Sequence, residues 1–159
     1  MKKVLVYSGA VIALTIVGFV LYGNFINLSF LLLNKGEIKI FSNSMGRLFQ
    51  DRLYFAISLG VIPLFYLWVR YFTNLNIVRQ KILTYLLIIG GGILSWQCKI
   101  VLLNYRLNVM SKLNTQIGID NSVSLERLDF DSYLLVGFAI GAIVSILVFG
   151  NQNAISDNL

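Results

Sequence analysis

Residues 82–106, ILTYLLIIGGGILSWQCKIVLLNYR, decide how the chain is read. About 20 helical residues, each rising 1.5 Å, cross a hydrocarbon core of roughly 30 Å. This run is long enough. It holds one lysine, Lys99, and three consecutive glycines, Gly90, Gly91 and Gly92, at its middle. Three further apolar runs surround it, at 4–23, 53–69 and 132–150. With the span at 82–104 they predict a single domain over 1–159. The fold class is an all-α integral membrane protein with four transmembrane helices.

Composition agrees. Of the 159 residues, 57% are hydrophobic and 13% charged. A soluble domain usually carries about 25% charged residues and 45–50% apolar ones. The excess apolar surface has to meet lipid or other apolar protein. The formal charge is +6. The basic residues flank the apolar runs, where they meet lipid headgroups and set topology, so nucleic acid is set aside as a partner.

Much chemistry is removed at once, because the chain has no histidine and one cysteine, Cys98. A Ser-His-Asp triad, histidine-ligated haem and His–Cys metal sets are excluded, as is a disulfide within the chain. Phosphate-cradling G-x-x-x-x-G-K-[ST] loops are absent. The expectation is no enzyme, no cofactor and no metal. Cys98 is read as a small buried hydrophobe.

Lys2 and Lys3 followed by an apolar run resemble a secretory signal, but the run exceeds the 7–15 residues of a signal core. It is expected to stay as the first span. Apolar residues continue to Leu33, so this helix either runs past the interface or breaks near Gly23-Asn24. In the polar connection after it, Glu37 to Phe41 alternates like a strand. The second helix should start near Met45. Arg47 and Asp51, four apart, would share one of its faces. With Arg52 they are candidates for loop ion pairs or headgroup contacts.

Pro63 sits in the middle of the second span and predicts a kink. Past the third span, Leu107, Met110, Leu113 and Ile117 recur at helical spacing, so an amphipathic helix should extend it. Residues 118–131 hold Asp120, Glu126, Asp129 and Asp131; Asp129 or Asp131 is placed to cap the last helix.

Small residues mark the packing seams. Gly137, Gly141 and Ser145 form a ridge spaced by four, facing either another span of this chain or another protein. The spans offer Gly9 with Ala13, and Gly91 with Ser95, as counterparts. Lys99 is the one intramembrane charge. It either snorkels to the headgroups, pairs with another chain or a lipid phosphate, or serves transport. The stretch at 82–106 is expected to be the helix around which the others pack.

These features point to a non-catalytic accessory or structural subunit of a larger membrane complex. Its expected partners are membrane lipid and other membrane subunits or further copies of itself. The alternative is a small oligomeric transporter or channel for a solute or ion. The short middle connection, with Arg70, Arg79, Lys81 and no acid, argues for both termini on the cytoplasmic side of a cell membrane.

Overall fold

The computed structural model describes residues 2–33, 39–41, 45–73, 75, 77–117, 122–124 and 129–156, with side chains for 5–33, 48–73, 75, 77–109 and 129–150. The elements in order are α1 (Lys2–Leu32), β1 (Lys39–Phe41), α2 (Met45–Gly60), α3 (Ile62–Phe72), α4 (Val78–Ile117), β2 (Ser122–Ser124) and α5 (Phe130–Ser156). Four segments are long and apolar enough to cross a membrane: Leu5–Leu32, Leu48–Phe72, Val78–Val109 and Phe130–Gly150.

The helices outrun the expected spans. α1 passes through Gly23-Asn24 without a break and has 31 residues, about 46 Å. α4 is one continuous helix of 40 residues, so the predicted extension prolongs the third span. The helical spacing of apolar residues past Arg106 does not interrupt it, because nothing between Arg106 and Ile117 is a helix breaker.

Pro63 lies where the second span is interrupted. The second span is split at Val61 into α2 and α3, and Pro63 falls in the first turn of α3. The junction is still tied by Val61 N donating to Ile57 O at 3.0 Å and Leu64 N donating to Val61 O at 2.9 Å. At the far end of α3, Thr73 turns to an extended conformation while its N–H and its hydroxyl both donate to Val69 O, at 3.0 and 2.7 Å.

α5 is the hub. It packs along α4 and also meets α2 and α3, whereas α1 lies chiefly on α2. The central helix is therefore α5 rather than the one holding residues 82–106, because the closest seam needs small residues on both sides and α5 has the longer ridge. A Cβ added to Gly141 would stand 2.8 Å from Ile88 Cα, and one added to Gly137 would stand 2.7 Å from Gly92 Cα. Gly91 in turn lies against Gly137 and Gly141. α1 and α2 cross in the same manner, with Gly18 facing Ala56 and Gly60 facing Thr15.

Polar groups in the seams answer to their own helices. Thr15, Ser29, Ser58, Thr84 and Ser145 each donate to the carbonyl four residues earlier, at 2.8 to 2.9 Å. That removes most of the cost of placing a hydroxyl in apolar surroundings. Cys98, by contrast, is exposed on the outer side of α4 and is not a core residue. At one end, β1 and β2 pair in parallel, Lys39 opposite Ser122 and Phe41 opposite Ser124.

Candidate functional site

The end of the bundle next to the β1–β2 pair holds Asp51, Arg52 and Lys99 of the expected site residues. Its centre is an aromatic cluster around Phe25 of α1. The Phe25 ring lies 4.5 Å from Phe55, 5.5 Å from Trp96 and 6.3 Å from Phe130, so α1, α2, α4 and α5 meet there. Trp96 Nε1 donates to Ser29 Oγ at 3.0 Å, and Ser29 Oγ donates to Phe25 O at 2.8 Å. This short relay leaves the buried indole N–H satisfied. Asn104 Nδ2 donates to Leu32 O at 3.2 Å, tying the last turn of α1 to α4. Ser58 Oγ reaches the Asp131 backbone carbonyl at 3.5 Å, joining α2 to α5.

Two cations border this cluster, and both rest on aromatic faces. The Arg52 guanidinium is 5.2 Å from the Phe19 ring centre and 5.8 Å from that of Tyr22. Phe19 and Tyr22 are three apart on α1, which puts them on one face. Lys99 Nζ stands 4.3 Å from the Tyr133 ring centre, and the residue is 8% exposed. Its side chain is folded against the bundle rather than along the outside of α4. Tyr133 belongs to the first turn of α5, so Lys99 lies level with the start of that apolar segment, where Asp129 and Asp131 stand. A cation over a ring contributes about 0.5–1 kcal/mol when exposed and ~2 when desolvated.

The other expected residues fall as follows. Gly137 and Gly141 face α4, where Ser95 Cβ would stand 2.6 Å from a Cβ on Gly137. Ser145 is fully buried. Asp51 is half-buried beside Arg52 on α2. The Arg47 side chain, Asp120 and Glu126 lie outside the described residues, and with them the expected pairing of Arg47 with Asp51. Asp129 stands before α5 with φ 45°, a left-handed conformation that Asp tolerates, and its carbonyl accepts from Tyr133 N at 3.3 Å.

At the opposite end, a second polar group forms that the sequence did not announce. Tyr66 of α3 and Tyr85 of α4 stack at 4.3 Å, 9° from parallel. Tyr7 of α1 lies on the other side of Tyr66 at 6.5 Å, and Arg70 Nη1 donates to its hydroxyl at 3.2 Å. Pro63 is buried on the same helix as Tyr66 and Arg70.

Chemically, the first site clamps helices. Among the described residues, no three His, Cys, Asp or Glu side chains come together as a metal site would require. The cations are held by ring faces and the donors by nearby hydroxyls and carbonyls. No family model, no curated protein and no solved structure matches the chain.

Proposed function

We propose that the four apolar helical segments are inserted in a membrane and that the chain is a non-catalytic accessory subunit of a larger membrane complex. The observation that carries this is the outward face of α1. Gly9 has nothing within 4 Å of where its Cβ would be, and Ala13, one turn on, is exposed. The other small-residue pairs are used inside the chain. Gly9 and Ala13 therefore leave one close-packing surface for a helix from outside. α1 is also the least buried of the four segments. Both termini are assigned to the cytoplasmic side by the basic, acid-free connection between α3 and α4.

Extraction in mild detergent tests the reading. A stoichiometric partner should accompany the chain, and Gly9→Leu with Ala13→Leu should release it. A monodisperse 17.9 kDa monomer would count against a complex.

Burial of Lys99 favours a second reading, an oligomeric transporter or channel, since an ionisable group inside a bundle often lines a route. Unchanged flux through Lys99→Met proteoliposomes removes Lys99 from such a route.

A further inference from the structure

A groove of about 640 Å³ runs between α1 and α3 at the end opposite the aromatic cluster. Sites for small ligands typically measure about 300–1,000 Å³. Its walls are Val11 and Ile12 on one side and Leu64 and Leu67 on the other, and Tyr7 and Arg70 close one end. We propose that this groove binds one anionic phospholipid. An acyl chain lies along the four aliphatic walls. The phosphate sits on the Arg70 guanidinium and the Tyr7 hydroxyl.

Charge complementarity selects this occupant. Arg70 presents a planar fork of five N–H donors, and its bond to Tyr7 uses one of them. Such forks hold phosphate oxygens in pairs. Residues 70–81 add Arg79 and Lys81 and contain no acid, and Lys2 and Lys3 begin the neighbouring helix. A zwitterionic headgroup would bring its own cation to this basic end; an anionic one would not. The depth also suits a lipid. Trp68, Tyr71 and Phe72 are exposed around Arg70, as aromatic side chains are at a headgroup boundary. The site is pre-formed, because the Tyr7 ring is held by the stack through Tyr66 to Tyr85.

The proposal rests on membrane insertion and not on a protein partner. Gly9 is two residues from both Tyr7 and Val11, about 200° around α1 at 3.6 residues per turn. Ile12, three residues from Gly9, borders both surfaces, but Arg70 lies on α3, away from the outward ridge, so the Arg70 variants and the ridge variants can fail separately.

The test is a titration of the purified full chain in detergent by native mass spectrometry. The probes are phosphatidylglycerol, phosphatidylcholine and glycerol 3-phosphate. One phosphatidylglycerol should be retained, on the order of tenfold more tightly than phosphatidylcholine. Glycerol 3-phosphate, which lacks acyl chains, should show no saturable binding. Arg70→Gln should abolish the preference between the two lipids. Leu64→Trp, which fills the groove from the α3 side, should weaken both. Arg79→Gln, a nearby exposed cation outside the groove, should lower the preference far less than Arg70→Gln. Arg70→Lys, which keeps the charge, should retain part of it and serve as the folding control. Equal binding of the two lipids by the unmodified chain would overturn the proposal. So would a preference that survives Arg70→Gln, one that falls equally in Arg79→Gln, or tight binding of free glycerol 3-phosphate.

Discussion

Lys99 of α4 aims its ammonium at Tyr133 in the first turn of α5, 4.3 Å from the ring centre. The contact joins two helices at the end where their connection leaves the bundle. Lys99→Met keeps the aliphatic stem and removes the charge; Tyr133→Leu removes the ring. Each should lower stability, and the pair should be non-additive by about 0.5–2 kcal/mol. Equilibrium unfolding in mixed micelles measures the cycle, and strictly additive effects would mean that the pair is no clamp.

Within the glycine triplet, the three positions should respond in unlike ways. Gly90 has nothing within 4 Å of its missing Cβ, so Gly90→Ala should be neutral or stabilising by up to about 1 kcal/mol. At Gly91 a methyl group would meet Gly141 Cα at 3.0 Å and the Gly137 carbonyl oxygen more closely still. Backbone cannot step aside as a side chain can, so Gly91→Ala should cost about 1–3 kcal/mol. Gly92→Ala presses on the buried Phe138 ring and should also destabilise. Thermal denaturation of the three variants ranks them.

Ser29→Ala should be more harmful than its small volume suggests. It strands the buried Trp96 indole N–H, at a cost of about 1–3 kcal/mol. Ser29→Thr, which restores a hydroxyl, should recover part of the loss. Trp96 emission follows the change if Trp68 is first replaced by Phe.

Topology has a direct readout. Cys98 is the one cysteine in the chain, so Cys98→Ala provides a thiol-free background. In it, Ile77→Cys, at an exposed position between α3 and α4, should resist a membrane-impermeant maleimide added to intact cells and react after lysis. Labelling in intact cells would reverse the orientation.

The spans were legible in the sequence because twenty-odd apolar residues in a row admit few alternatives. The start of α2 at Met45 and the strand-like run ending at Phe41 were legible for similar local reasons. Direction around each helix was not. A helix that is apolar on every side carries no stripe to say which face turns inward. Nothing local separates Gly90, open on one side, from Gly91, pressed against α5. Nor does the sequence distinguish the outward Gly9 from the inward Gly18. That Lys99 would meet a ring of α5 was not legible either, because nothing near it in the sequence points to Tyr133. Arg52 was read for loop ion pairs or headgroup contacts; the Phe19 and Tyr22 ring faces it meets lie on another helix and leave no local mark.

The parallel pairing of residues 39–41 with 122–124 has a consequence for biogenesis. Hairpins close early because their strands are neighbours in the chain; this pair has α2, α3 and α4 between its strands. A nascent chain released before residue 122 holds the first strand with no mate. The clasp therefore belongs to the last act of assembly, after the helices between its strands have been made. The connections at the end of the bundle that carries Lys99, Arg52 and the Phe25 cluster are joined only once the ribosome has delivered residue 124.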